Sequence, residues 1–113
     1  MSIKNEIVYL ATPYSHPELA VQRLRFEQVS RLAAELMSRG VYVYSPISHT
    51  HPIAMAGYLP TGWDFWEAHN RTMLSRCDRL VVYMQDGWEE SVGVAAEIAM
   101  AEEFGLPIEY LEA

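Results

Sequence analysis

One carboxylate in the last third of the chain has a sequence setting that suits chemistry. Glu97 lies in the stretch SVGVAAEIAMA, beside an apolar stripe that includes Val94 and Ile98 at helical spacing. Glutamate is rarely buried unless it is paired or functional, and most helical glutamates are half-exposed surface residues. Gly93 favours a functional role for Glu97, because a glycine inside a helix costs about 1 kcal/mol relative to alanine and needs a reason. Close approach of a ligand or of another backbone would explain it.

The start of the same helix is a candidate anion site. Ser91 occupies the position of an N-cap, where its hydroxyl accepts a hydrogen bond from the first turn. The first N–H groups of a helix lack partners within the helix, and they carry a partial positive charge. The sequence therefore predicts that Ser91 and Gly93 contact a small anionic group next to Glu97.

Polar and aromatic residues cluster in three further stretches, TPYSH, SPISHTHP and QDGWEES. Tyr14 and Trp88 are candidates for stacking on a flat ligand, and Ser15 for hydrogen bonding to the same ligand. His49 and His51 are two residues apart and invite a metal hypothesis, but no acid lies between them. Hydrogen bonding to substrate or to the loop is the preferred interpretation, and no metal is expected.

These residues need a scaffold, and strands and helices alternate along the 113 residues. This alternation predicts one three-layer α/β/α domain over residues 1–113, of the Rossmann or flavodoxin-like class, with a mostly parallel sheet of four to five strands. The predicted elements are a strand over 6–11, a helix from a Ser15–Glu18 capping box to Gly40, a strand over 41–47, a loop from Ser48 to Pro60, a helix from a Thr61–Asp64 capping box to about Cys77, a strand over 79–84, a helix over 91–105 and a strand over 106–111. Ligands of such sheets bind outside the carboxyl ends of the strands, where the three stretches lie.

Composition excludes several classes of function. The net charge of −7 argues against sequence-independent binding to nucleic acid, because such binding needs clustered Lys and Arg. No apolar run reaches the roughly 18 residues of a membrane span, and the first residues lack the pattern of a secretory signal, so a cytoplasmic protein is expected. Cys77 is the sole cysteine, which excludes an internal disulfide. No G-x-G-x-x-G or P-loop occurs, and no cofactor is expected.

Three stretches, YLATPYS, CDRLVVYM and SVGVAAEIAMA, carry a family resemblance. The chain resembles the nucleoside 2-deoxyribosyltransferase-like superfamily, which includes the 2′-deoxynucleoside 5′-phosphate N-glycosidases. It is most similar to a branch of short proteins that share YLATPYSH, SPI-H-HP and DGW--S-GV--E. The family motif of serine or aspartate, any residue, glycine, three residues and glutamate is matched by Ser91, Gly93 and Glu97. The resemblance extends over most of the chain.

The resemblance implies that Glu97 is a nucleophile that attacks the anomeric C1′ of a nucleotide as the base leaves. Water or a second base then resolves the glycosyl-enzyme, as in retaining glycosidases, whose two carboxyl groups lie about 5–5.5 Å apart. A serine at position 91 favours a 5′-phosphate over a free 5′-hydroxyl. The family likeness also implies a homodimer or larger homo-oligomer with sites completed across the interface.

Asn70 departs from the family pattern, which has an aspartate at this position. An amide cannot donate a proton as a general acid. A shifted proton donor on the same helix, Asp64, Glu67 or His69, is one explanation, although Asp64 also has a competing role in the predicted capping box. Activation of the leaving base by other means is a second explanation, and binding without turnover is a third. Asn70 and Asp64 are retained as catalytic candidates or as contacts to the sugar or base.

Three hypotheses follow from these residues. The first is an enzyme that cleaves or exchanges the N-glycosidic bond of a nucleoside monophosphate. The second is a non-catalytic nucleotide-binding or sensing module on the same fold. The third is a phosphoribohydrolase of the lysine-decarboxylase-like class, whose PGG-GT--E loop is a poor match to DGWEESVGVAAE.

Overall fold

The computed structural model describes residues 5–113, so the first four residues of the predicted domain lie outside the described part. Strand and helix alternate as expected, apart from one extra helix and one 3₁₀ turn. The elements are β1 (Ile7–Ala11), α1 (Leu19–Ser38), β2 (Tyr42–Tyr44), α2 (Pro46–Gly57), α3 (Trp63–Ser75), β3 (Arg79–Met84), a 3₁₀ turn (Trp88–Glu90), α4 (Val92–Phe104) and β4 (Ile108–Glu112).

The four described strands form one sheet in the order β2-β1-β3-β4, and every pairing is parallel. Tyr9 of β1 is in register with Tyr44 of β2 and Leu80 of β3. The chain moves from β1 to one edge of the sheet through β2, and then to the other edge through β3 and β4. The point where the strand order reverses therefore lies between β1 and β3, which is where open α/β sheets bind ligands.

Apolar side chains cover both faces of the sheet, and two core clusters result. On one face, Tyr9 and Leu80 pack with Leu74 of α3 and Val94 of α4. On the other face, Val8, Leu10 and Val81 pack with α1. Alternate residues of each strand point to opposite faces, so α3 and α4 lie on one side and α1 on the other. The predicted three-layer α/β architecture is confirmed.

The helix that carries Glu97 begins and ends where the sequence predicts. Ser91 is the N-cap, and its Oγ accepts a hydrogen bond from the Val94 amide at 3.1 Å. Gly105 ends the helix with φ of 71°, a left-handed conformation that suits glycine. The boundaries of this helix fix the position of Glu97 relative to its first turn, where the sequence predicts an anion site.

The predicted loop from Ser48 to Pro60 is wrong, because most of it is helix α2. The second strand is also shorter than predicted, since β2 ends at Tyr44 and α2 begins at Pro46. A proline at the first helical position loses no helical hydrogen bond, so SPI starts a helix rather than extending a strand. Pro52 and the polar residues around it suggested a loop, yet the helix continues through Pro52.

Both predicted capping boxes are wrong. Helix α1 begins at Leu19 with Glu18 as N-cap and no side-chain cap, and the turn before it is organised instead by His16, whose Nδ1 accepts the Glu18 amide at 3.0 Å. Helix α3 has Gly62 as N-cap, again with no side-chain cap. Asp64 therefore has no capping role that competes with a role in the site.

Candidate functional site

A cavity of about 460 Å³ opens beyond the carboxyl ends of β1 and β2. Its walls come from the segment after β1, from α2, and from the first turns of α3 and α4. Eight of the ten residues singled out from the sequence line it, namely Tyr14, Ser15, His51, Asp64, Asn70, Ser91, Gly93 and Glu97. The fold thus brings together side chains that are up to 83 positions apart in the chain, from Tyr14 to Glu97.

Glu97 is the buried carboxyl group of this cavity, with only 4% of its surface exposed. The hydroxyl of Tyr9, which is fully buried in β1, donates a short hydrogen bond to Glu97 Oε2. Both residues belong to elements that face each other on the α3–α4 side of the sheet. The hydrogen bond therefore fixes the carboxyl group at the edge of the core and at the wall of the cavity.

Burial changes the protonation of this pair. It raises the pKa of Glu97 to about 8, against the opposing effect of the Tyr9 hydrogen bond, because a buried carboxylate loses its hydration. Burial also raises the pKa of Tyr9 well above its ordinary value, and the neighbouring Glu97 charge adds to this. Tyr9 consequently remains a hydrogen-bond donor when Glu97 ionises. A carboxyl group with a strongly shifted pKa in a cavity is a functional-site candidate.

The glycine in the first turn of α4 has a steric explanation. A Cβ built on Gly93 would lie 3.3 Å from Cε3 of Trp63, so the indole packs directly against the helix. The group that approaches Gly93 is therefore the Trp63 side chain. The close approach of another backbone, one of the two explanations offered from the sequence, is not the reason for the glycine. Trp63 opens α3 and lines the cavity together with Trp66, which gives the site an aromatic wall.

Asn70 and Asp64 occupy different depths of the site. Asn70 is 5% exposed, and its Oδ1 lies 3.2 Å from Nδ1 of His69. Asp64 lines the cavity at an exposed position in the first turn of α3. Glu67 is exposed and lies outside the lining. The deep position on α3 thus holds an amide, which can hydrogen-bond to a ligand but cannot supply a proton.

Tyr14 and His51 form a second hydrogen-bonded pair on another wall. The Tyr14 hydroxyl and His51 Nδ1 share a short hydrogen bond, and both residues line the cavity. The ring of Phe26 stacks on His51 with centroids 4.3 Å apart. Tyr14 follows β1 and is buried, while His51 comes from α2, the helix that the sequence did not predict.

The rim of the cavity contains hydroxyls and helix N–H groups. Ser91 Oγ accepts the Val94 amide and keeps its own proton for a ligand. The amides of Val92 and Gly93 are in the first turn, where a helix offers no carbonyl partner. Glu90 adds a carboxylate to the same rim. An anion bound here would contact the N-terminus of the helix. It would also lie near the Glu90 carboxylate, which has the same sign of charge and would repel it.

His49 and Trp88 lie outside the cavity lining. The Trp88 ring contacts Tyr110 of β4 at a centroid distance of 5.8 Å. The His49 ring lies 6.4 Å from the ring of His69. Within residues 5–113, no group of three or more His, Cys, Asp or Glu side chains comes together to hold a metal ion.

Sequence reasoning missed Tyr9, the residue that holds Glu97. By its residue types, the segment IVYLA indicates only a strand. A tyrosine in a central parallel strand buries a hydroxyl that requires a partner, and this requirement is the signal that could have identified it. Nothing in the sequence pairs Trp63 with Gly93.

Arg25 of α1 connects two of the segments that follow strands at this edge of the sheet. Its Nη1 donates to the Ser15 carbonyl at 2.9 Å, and its Nη2 donates to the Asp86 carbonyl at 3.1 Å. Gly87 has φ of 90°, and a Cβ added there would collide with the Arg25 guanidinium. The arginine therefore fixes the loops after β1 and β3 relative to each other.

Gly87→Ala is expected to lower the free energy of unfolding more than Gly40→Ala. Both glycines have a left-handed φ, 90° and 86°, where alanine costs roughly 1–2 kcal/mol. Only Gly87 has Arg25 in the way, so its substitution also displaces hydrogen bonds worth about 1 kcal/mol. Urea unfolding of the two variants measures this difference. Equal losses would contradict the role assigned to Arg25.

The fold and the site define a three-layer α/β protein with a buried carboxyl group in a cavity at the carboxyl edge of a parallel sheet. The family model described as "Domain of unknown function (DUF1937)" matches residues 6–112, and the chain belongs to this family. No curated protein matches the chain. Across residues 5–113, none of the helices has the length and apolar character needed to cross a membrane.

Proposed function

We propose that the protein cleaves or exchanges the N-glycosidic bond of a nucleoside 5′-monophosphate by a retaining mechanism with Glu97 as nucleophile. The observation that carries this proposal is the buried Glu97 carboxyl, held by Tyr9 at the wall of the cavity. The volume of about 460 Å³ is within the range of about 300–1,000 Å³ that small-molecule sites have. The sequence resemblance to deoxyribosyltransferase-like proteins supports the same chemistry.

The first step uses the two oxygens of Glu97 differently. Oε2 accepts the Tyr9 hydroxyl, which leaves Oε1 to attack C1′ of the sugar. The bond from C1′ to the base nitrogen breaks, and its electron pair leaves with the base. An ester between Glu97 and C1′ results, and water or a second base then displaces Glu97 from C1′. Two displacements at C1′ retain its configuration.

The rim of the cavity supports the assignment of a monophosphate. A 5′-phosphate would accept hydrogen bonds from the Ser91 hydroxyl and from the first amides of α4, where the helix terminus favours negative charge. Ser15 also lines the cavity, and its hydroxyl donates to the Thr61 carbonyl at 3.3 Å. The indoles of Trp63 and Trp66 provide flat apolar surface for a base, and Asn70 provides an amide for hydrogen bonds to the sugar or base.

A second candidate function is nucleotide binding without turnover. Asn70 favours it, because the buried position on α3 holds an amide and no proton donor. In that case Glu97→Gln would leave nucleotide affinity unchanged, and no base would be released by the wild-type protein. Measuring binding and base release on the same samples separates the two functions.

The proposal predicts release of a free base from at least one nucleoside monophosphate. The purified protein is incubated with ribo- and deoxyribonucleoside monophosphates, and with the matching nucleosides, each with and without a second base as acceptor. We expect the best monophosphate to react at least about tenfold faster than its nucleoside, because each hydrogen bond to a charged group contributes about 1.5–3 kcal/mol. Glu97→Ala, prepared in the same way, controls for contaminating enzymes. Absence of free base from every compound would refute the enzyme.

A further inference from the structure

The hydrogen-bonded pair of Tyr14 and His51 has the geometry of a proton relay. We propose that this pair delivers a proton to the leaving base, the task that Asn70 cannot perform. The inference rests on the proposed function and adds to it the identity of the general acid. Both residues line the same cavity as Glu97, but they belong to the segment after β1 and to α2, whereas Glu97 belongs to α4.

A base that leaves C1′ with an electron pair is a poor leaving group until a proton reaches it. Asn70, the buried polar residue on the α3 wall, has no proton to transfer. Asp64 and Glu90 are exposed residues of the lining, at the side of the cavity open to solvent. Tyr14 and His51 are the lining pair, within residues 5–113, in which two proton-bearing groups are already hydrogen-bonded to each other.

The surroundings hold this pair in one arrangement. The Tyr14 side chain is 8% exposed, and the stacked Phe26 ring fixes the plane of the His51 imidazole. Burial lowers the pKa of His51, with a smaller contribution from Arg23, and burial raises the pKa of Tyr14. Both groups are therefore neutral at pH 7. With the Tyr14 hydroxyl donating to Nδ1, the imidazole carries its own proton on Nε2.

The relay balances charge and protons over the whole reaction. Ionised Glu97 attacks C1′, the C–N bond breaks, and the base nitrogen takes the proton from His51 Nε2 while the Tyr14 hydroxyl proton moves to Nδ1. The negative charge passes from Glu97 to Tyr14. In the second step water attacks C1′, its proton goes to Nε2, the Nδ1 proton returns to Tyr14, and Glu97 leaves as the carboxylate.

A comparison of leaving groups tests the relay. The two substrates are the best monophosphate from the panel and the 4-nitrophenyl glycoside of the same sugar phosphate, whose phenolate leaves without a proton. The variants are Tyr14→Phe, which removes the hydroxyl, and His51→Asn, which keeps an acceptor near the position of Nδ1. We expect each variant to lose about 10²-fold or more in kcat/KM on the nucleotide. On the nitrophenyl substrate the loss is expected to stay below about threefold.

Tyr58→Phe is the matched control for Tyr14→Phe, since Tyr58 is 94% exposed at the end of α2 and lies outside the lining. It should change neither rate. Equal losses on both substrates, or no loss on either, would overturn the relay while leaving the glycosidase intact. No base release by the wild-type protein would overturn the proposed function and the relay together.

The wild-type protein gives a second readout that does not depend on variants folding. Single-turnover cleavage in heavy water should slow by about twofold or more for the nucleotide, because a proton moves as the bond breaks. The nitrophenyl substrate should show almost no slowing. The same isotope effect on both substrates would contradict the relay.

Discussion

Glu97→Gln is expected to lower kcat for the best nucleoside monophosphate by about 10³-fold or more, while the Kd for that nucleotide changes by less than about tenfold. Glutamine has nearly the shape of glutamate, and its oxygen still accepts the Tyr9 hydroxyl, so the cavity keeps its form. It cannot form the ester with C1′. The loss should therefore appear in the chemical step and not in binding, and single-turnover kinetics with a binding titration measure both.

Glu102→Gln is the matched control for this experiment. Glu102 is exposed on the same helix and lies outside the cavity lining. Its substitution makes the same change from carboxyl to amide on α4 and should leave kcat within about twofold of the wild type. If Glu97→Gln retained a substantial part of the wild-type rate, Glu97 would not be the nucleophile.

The second large effect concerns stability and pH. The pKa of Glu97 is about 8 in the folded protein, whereas an unfolded glutamate titrates near 4.5. Between these values the folded state binds one proton more than the unfolded state, so the free energy of unfolding falls as pH rises. We expect the difference in unfolding free energy, Glu97→Gln minus wild type, to grow by about 1 kcal/mol per pH unit from pH 5 to pH 8.

Measuring the difference between two proteins removes the titration of the groups they share. Urea unfolding at pH 5, 6, 7 and 8 gives the free energy of unfolding of the wild type and of the variant. The difference between them should stop growing above pH 8. Glu102→Gln, which removes an exposed carboxyl, should give a difference that hardly changes over this range. A wild-type protein that gained stability relative to Glu97→Gln with rising pH would show that the carboxylate is stabilised by its surroundings.

The elements that the sequence predicted best are those with a clear apolar pattern or clear end signals. Strand β3 and helix α4 have nearly the predicted boundaries, because RLVVYM is continuously apolar after its arginine and Ser91 and Gly105 mark the helix ends. Helix α2, which packs against α1 and β1, was missed because its composition favours a loop. SPISHTHP contains two prolines, serine and histidine, whose local preferences favour a loop.

The position of a candidate-site residue was predictable where it followed from the spacing of a single element. Ser91, Gly93 and Glu97 follow the spacing of a single helix, and all three line the cavity. The partner of Glu97 was not predictable in this way, because the Tyr9 hydroxyl comes from a strand 88 positions earlier in the chain. Contacts of this kind depend on the order of strands in the sheet, which local spacing does not encode.

The most direct test of a covalent role for Glu97 is the mass of the protein after reaction with a slow substrate. A 2′-fluoro-arabino analogue of the best monophosphate should trap the glycosyl-enzyme, because fluorine at C2′ destabilises the oxocarbenium-like transition state of both steps. We expect a mass gain equal to the fluorinated sugar phosphate, located on the peptide that contains Glu97. Release of base with no added mass, or with the sugar attached to another residue, would contradict a covalent role for Glu97.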